Sequence, residues 1–153
     1  MTAGVLCGQG QQLESRDAVN ARLRLVDSIT ELKPGLDAGC VAVSGSHGGI
    51  SSARYAAAAV PLIAIFNDAG VGKDRAGLAA LDFLQACGIA ACAVAHHSAR
   101  IGEARSTLQD GVIAHCNDAA RALGAAPGQL CRVLVVQLCG AANPDENFGQ
   151  IGL

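Results

Sequence analysis

Three apolar runs in this chain each end abruptly at a group of small polar and ionisable residues. The runs cover residues 40–43, 62–66 and 89–95, and a segment of helical character follows the first two. A short apolar run bounded in this way is typical of a strand buried in a parallel α/β sheet. The carboxyl ends of such strands share one edge, where ligands bind in a crevice. We therefore expect the three polar groups to lie together at one edge of a sheet.

The rest of the chain alternates between segments with strand and helix patterns. Residues 22–26 predict a half-exposed edge strand, and 28–34 a short helix or turn. Further helices are expected at 51–59, from Asp74 to Gly88, at 103–109 and at 117–123, and further strands at 111–116 and 130–138. The pattern predicts one α/β domain over 1–153, a three-layer α/β/α sandwich with a mostly parallel open sheet, Rossmann-like or flavodoxin-like. Residues 1–20 are interpreted as a lead-in, and 140–153 as a loop or interface tail.

The composition favours association with further copies of the chain. Hydrophobic residues make up 51% of the 153 residues, but only 3% are aromatic and 16% are charged. Small apolar side chains bury little area each, and few charges remain to cover the surface of a monomer. Because large apolar patches usually mark interfaces, we expect a homo-oligomer.

The charge pattern argues against nucleic acid as a partner. The net charge is −2, the two lysines are Lys33 and Lys73, and the nine arginines are scattered. Binding to a phosphate backbone depends on clustered cations, which this sequence lacks.

No apolar run reaches the 18 residues of a membrane span, and no secretory signal is visible. Neither a membrane partner nor export is therefore expected. The seven cysteines show no C-x-x-C pair or zinc spacing, which indicates reduced thiols in a cytoplasmic protein. Cys116, beside His115, is the first cysteine to test for catalysis. His115 itself is interpreted as a packed residue of a strand.

The first polar group follows the strand at 40–44. Glycines there let the backbone approach a ligand, and amides at the start of the next helix attract an anion or an oxyanion. The alternative is a tight turn that needs its glycines and nothing else. The spacing matches neither G-x-G-x-x-G nor a nucleophile elbow. The residues predicted to bind ligand are Ser44, Gly45, Gly48 and Gly49, and those predicted to be catalytic are Ser46 and His47.

The second group begins with Asn67, a predicted ligand contact, and Asp68, a predicted catalytic residue. Asp68 could orient a histidine, act as a base or hold a metal, or it could simply satisfy loop amides in a turn. The segment 70–74 resembles a Walker A loop only faintly, because it lacks the first glycine and the final hydroxyl residue. An ATPase is excluded on this ground. Lys73 is predicted to neutralise an anionic ligand, unless it is an ordinary solvated lysine.

The third group, residues 96–100, supplies two imidazoles and a guanidinium. Adjacent residues of an extended strand point to opposite sides, so one histidine should face the crevice, and His97 is slightly preferred as the catalytic one. His96, Ser98 and Arg100 are predicted to bind ligand. Arg100 suits bidentate capture of a carboxylate or phosphate, or alternatively pairs with Asp68, Asp74 or Glu103.

No cofactor is predicted. A divalent metal held by His47, Asp68 and either His96 or His97 fits the preferences of first-row metals. No H-x-H or H-E-x-x-H spacing supports such a site.

These features favour a small cytoplasmic enzyme of the hydrolase or lyase type, acting on an anionic carboxylate or phosphate molecule by acid–base or nucleophilic chemistry. Histidines titrate near neutral pH, and no redox cofactor motif is present. Two alternatives stay open: a non-catalytic metabolite-binding or regulatory subunit that uses the same crevice, and a structural oligomer component.

Overall fold

The computed structural model describes residues 20–140, which include a five-stranded sheet. The predicted lead-in and tail therefore lie almost wholly outside the described residues. The strands are β1 (Leu23–Val26), β2 (Val41–His47), β3 (Ile63–Asn67), β4 (Ala90–Val94) and β5 (Ile113–Cys116). The α-helices are α1 (Ile50–Ala59), α2 (Ala79–Ala86), α3 (Ala104–Asp110), α4 (Asp118–Ala122) and α5 (Cys131–Cys139). Two 3-10 segments cover Ile29–Glu31 and Lys73–Leu78.

The sheet is open and mostly parallel, which confirms the predicted α/β class. The strands stand in chain order from β1 to β5, and β1 to β4 are parallel. β5 runs antiparallel to β4 at the edge of the sheet. In Rossmann and flavodoxin sheets, the first strand lies inside the sheet and later strands are added on both sides of it. Here each new strand is added on the same side of the one before it.

Helices cover both faces of the sheet. Alanines 53, 56 and 59 of α1, together with Leu81 and Leu84 of α2, pack against one face, beside Ala42 and Ala64. Leu108 of α3 and the apolar side chains of α5 pack on the other face, against Val43 and Ile65. The chain changes from one face to the other in the segment 95–103, between β4 and α3. Crevices form at the carboxyl edge of a sheet where connections leave on opposite faces.

The segment 130–138 is a helix, and the predicted strand there is wrong. Its buried residues, Cys131, Leu134, Val135, Leu138 and Cys139, recur at intervals of three and four, as on one face of a helix. A short apolar run rich in valine carries no local signal that separates a buried strand from a buried helix. No helix of the described range is long and apolar enough to cross a membrane.

The strand β2 is longer than predicted and continues to His47, so residues 44–47 belong to the strand and not to a glycine loop. Helix α1 begins at Ile50, and its N-cap Gly49 makes no side-chain cap, so neither Ser51 nor Ser52 caps it.

The helix boundaries beyond β3 match the predictions in part. Asp74 lies inside a 3-10 segment and does not cap α2, whose N-cap is Leu78. Gly88 follows α2 with a φ of +77°, as predicted for a left-handed position after a helix. Asn117 accepts a hydrogen bond from the Ala120 amide at 2.9 Å and caps α4, as predicted.

Candidate functional site

A cleft of about 760 Å³ opens at the carboxyl ends of β3 and β4. Its walls come from the end of β3, from the segment 96–101 after β4, and from α3. The second and third polar groups of the sequence therefore converge. The predicted site residues that line this cleft are Asn67, His96, His97, Ser98 and Arg100.

Asp68 lies directly beside the cleft lining and is 5% exposed. Its Oδ1 accepts hydrogen bonds from the amides of Gly70 and His96, at 2.8 and 3.0 Å. The same oxygen lies 3.2 Å from Nδ1 of His96. Asp68 therefore satisfies loop amides in a turn and also contacts a histidine, two roles that its sequence position suggested as alternatives.

The contact with Asp68 orients the His96 imidazole. A carboxylate can only accept hydrogen bonds, so Nδ1 of His96 donates and Nε2 keeps its lone pair. The His96 side chain is 57% exposed and lines the cleft. An imidazole held by a buried carboxylate with a basic nitrogen left over is the arrangement of a general base.

Both neighbouring histidines lie at the cleft. Their rings meet edge to face, with centroids 5.5 Å apart. Because β4 ends at Val94, His96 and His97 lie in a turn, where the alternation of an extended strand does not apply. His96 contacts Asp68, although His97 was the preferred residue.

Asn67 and Ser98 use their polar atoms within the protein. Asn67 is fully buried, and its side chain donates to the Ala99 carbonyl at 3.2 Å and accepts from the Ala69 amide at 2.8 Å. Ser98 Oγ donates to the Ala95 carbonyl and accepts from the Val112 amide. These contacts fasten the loops that form the cleft wall.

Arg100 is the cation of the cleft, and of its three proposed acidic partners it pairs with Glu103. Its Nη1 lies 3.6 Å from Oε1 of Glu103, with 79% and 54% of the two side chains exposed. An exposed pair of this kind contributes little stability. The guanidinium can therefore exchange Glu103 for an incoming carboxylate or phosphate at small cost.

The serines of the first polar group lie outside the cleft lining and make internal contacts. Ser44 is buried and donates to the Ile65 carbonyl at 2.8 Å. Ser46 Oγ accepts from the Ile29 amide at 2.9 Å. Both hydroxyls therefore join β2 to neighbouring elements.

Each glycine of the first group has a packing reason of its own. A Cβ at Gly45 would lie 2.4 Å from the backbone nitrogen of Glu103, and one at Gly48 would lie 2.6 Å from the Gly77 carbonyl oxygen. A Cβ at Gly49 would lie 2.6 Å from Cε1 of His47, whose exposed ring covers that glycine. These distances favour the turn and packing interpretation of the loop. Lys73 is exposed and is likewise outside the cleft lining.

The loop after β3 is strained. Non-glycine residues with positive φ are Ala69, Val71, Asp74 and Arg75. Val71 has a φ of +71°, which is costly for a β-branched side chain. Strain of this kind concentrates at functional sites, and here it directly follows Asp68.

Sequence reasoning missed His115 as a site residue. Its Nε2 lies 3.5 Å from Oδ2 of Asp68, and its side chain is 35% exposed. The antiparallel pairing of β5 places His115 opposite Ala93, and no local pattern could reveal that pairing. Glu103, the N-cap of α3, also lines the cleft, as do Ser106 and Asp110 of that helix. Glu103 and Ser106 lie three residues apart in the predicted helix 103–109 and so share a face, a signal that could have found them.

Two of the buried cysteines, Cys116 and Cys131, have thiols that burial makes harder to ionise. Burial raises the pKa of the Cys116 thiol, and it raises that of Cys131 to about 12. These thiols stay protonated at neutral pH, whereas a nucleophile needs the thiolate. Among residues 20–140, no three His, Cys, Asp or Glu side chains are placed to hold a metal ion.

Comparison of the chain with models of protein families, with curated proteins and with solved structures found no match. The fold and the cleft therefore define the class: an α/β protein with a carboxylate–imidazole pair at the carboxyl edge of its sheet.

Proposed function

We propose that this protein is a small cytoplasmic enzyme that acts on an anionic small molecule, a carboxylate or a phosphate, by acid–base chemistry of the hydrolase or lyase type. The observation that carries the proposal is the Asp68–His96 pair, in which a buried carboxylate holds Nδ1 of an imidazole that lines the cleft. The distance between Asp68 and His96 comes from the structure and could not be derived from the sequence.

In this proposal His96 is the general base. Its Nε2 takes a proton from a water molecule or from a carbon of the substrate, and later returns it to the leaving group. Asp68 keeps the tautomer and stabilises the imidazolium that forms. Proton transfer by a positioned side chain contributes roughly 100- to 10,000-fold in rate.

Arg100 would bind the anionic group of the substrate by releasing Glu103. The planar guanidinium matches the geometry of a carboxylate or phosphate with two parallel hydrogen bonds. His97, whose ring contacts that of His96, would line the reacting end of the ligand.

The test is to incubate the protein with a panel of small carboxylates, carboxylic esters and phosphate esters, and to follow their consumption by mass spectrometry. We expect Asp68→Asn and His96→Gln to reduce turnover of the consumed compound by at least about 100-fold. The matched control is Asp82→Asn, an exposed residue of α2. Full turnover in both site variants would overturn the proposal.

The exposure of Arg100, whose side chain is 79% accessible, also favours a second candidate function. This is a non-catalytic subunit that binds a metabolite in the same cleft. A ligand that raises the melting temperature of the protein without being consumed would favour this reading. The effect should disappear in Arg100→Gln and persist in Arg54→Gln, a change at an exposed residue of α1.

We also propose that the protein is a homo-oligomer. Several large apolar side chains are exposed on the described part of the chain, among them Leu36, Tyr55, Val60 and Ile101. Light scattering after size exclusion should give a mass of at least two chains, and a single-chain mass would contradict this.

A further inference from the structure

The two oxygens of Asp68 face two different imidazoles. Oδ1 lies 3.2 Å from Nδ1 of His96, and Oδ2 lies 3.5 Å from Nε2 of His115. The histidines come from different places in the fold, one from the turn after β4 and the other from the edge strand β5. Asp68 therefore lies between an imidazole of the cleft and an imidazole behind it.

His115 is not part of the cleft lining, so it cannot act directly on a ligand bound there. Its contact with the cleft runs through Asp68. A carboxyl group can turn about its last torsion and exchange its two oxygens. The amides of Gly70 and His96 hold Oδ1 at 2.8 and 3.0 Å, and a partner on Oδ2 adds to their resistance to that rotation.

We propose that His115 is a positioning residue for the Asp68–His96 pair. By contacting Oδ2 it holds the carboxylate in the orientation that keeps the proton of His96 on Nδ1 and leaves Nε2 basic toward the cleft. This inference rests on the proposed function, because it names a further residue of the same acid–base site.

The groups around the pair are consistent with this role. The titratable side chains in contact with Asp68 are His96 and His115, and His97 touches the ring of His96 from the cleft side. His97 contacts the ring of His96 and not the carboxylate, so it does not help to orient Asp68. The antiparallel register, with His115 opposite Ala93, is what brings β5 to Asp68.

The experiment reads the tautomer of His96 in the full-length chain from long-range ¹H–¹⁵N correlation spectra of its imidazole, recorded above the pH at which it is protonated. In the unaltered protein we expect Nδ1 protonated and Nε2 unprotonated. In His115→Phe, which removes the imidazole nitrogen beside Oδ2, the Nε2-protonated fraction of His96 should rise to at least about one third. His115→Ala is the second variant. It allows the same measurement if the larger phenyl ring of His115→Phe prevents the protein from folding.

His115→Gln supplies the rescue, because its amide can still donate to Oδ2, and we expect it to retain the tautomer of the unaltered protein. His47→Phe is the control for removal of a histidine outside the cleft lining. An unchanged tautomer in a folded His115→Phe or His115→Ala protein would overturn the inference, and so would a failure of His115→Gln to retain it.

Asp68→Ala, which removes both oxygens, separates this inference from the proposed function. If a folded Asp68→Ala protein leaves the His96 tautomer unchanged, the pair on which the proposed function depends is wrong. If Asp68→Ala alters the tautomer but the folded His115 variants do not, the inference about His115 alone is wrong.

Discussion

At the scale of single residues, two buried aspartates within residues 20–140 act in different ways. Asp68 contacts a histidine that lines the cleft, whereas Asp37 accepts hydrogen bonds from Arg22 and Arg24. Sequence position predicted Asp68 as a site residue, because a carboxylate after a buried strand falls at the edge where ligands bind. It could not choose between His96 and His97, since that choice depends on where β4 ends and how the next turn folds.

Asp37 should stabilise the fold at neutral pH and lose this effect in acid. Its carboxylate accepts from the Lys33 amide at 2.7 Å, and from Arg22 and Arg24 at 3.0 Å each. Burial by itself would raise the pKa of Asp37, but these hydrogen bonds and the Arg24 charge outweigh it, and the pKa lies below the ordinary 3.8. A lowered folded-state pKa means that the stabilisation is present above the unfolded pKa and is lost as the pH falls through the folded pKa.

We therefore predict that Asp37→Asn lowers the free energy of unfolding at pH 7 by about 2 kcal/mol. The difference from the unaltered protein should shrink as the pH falls below 3.8 and through the lower pKa of the folded protein, because Asp37 then becomes neutral, as Asn is at every pH. Urea unfolding at several pH values measures both effects, with Asp118→Asn on an exposed ion pair as the control. A loss that stays constant down to acid pH would contradict this account.

At the scale of elements, the sequence predicted the buried strands β2, β3 and β4 and the helices between them. It missed the helical state of α5, because the exposed positions of this nine-residue segment include Val133, so its apolar residues do not fall on one face alone. It also assigned 44–49 to a ligand loop. The glycines there have another physical reason: the backbone of 102–103 crosses β2 at Gly45, whose carbonyl accepts from the Gly102 amide at 2.7 Å.

Gly45→Ala should therefore destabilise the protein and displace the start of α3. The added Cβ would meet the Glu103 nitrogen and the Gly102 carbon at 2.4 Å, and backbone atoms cannot rotate away. We predict a loss of about 2–3 kcal/mol in the free energy of unfolding.

Gly39→Ala is the matched control for Gly45→Ala. It has open space around the new methyl group but a φ of +78°, so only about 1 kcal/mol of backbone strain is expected. Chemical denaturation of the two variants measures the contrast. Equal losses in the free energy of unfolding would show that the close approach of residues 102–103 is not the reason for a glycine at position 45.

At the scale of the whole molecule, the cleft exists because the chain changes faces of the sheet after β4. Residues 67–68 and 96–100 were predicted to converge because both follow parallel strands, and they do. The contribution of β5 could not be predicted, since it depends on the strand order and on the reversed direction of the last strand. Neither the strand order nor the direction of the last strand can be derived from a local pattern of side chains.

We propose that a ligand binds in this cleft rather than at the glycine-rich end of β2. A crystal soaked in a mixture of acetate and inorganic phosphate tests it directly. We predict an anion within hydrogen-bonding distance of the Arg100 guanidinium and of Nε2 of His96. An anion bound instead at the amides of 45–49 or at Lys73, with no density in the cleft, would contradict the account.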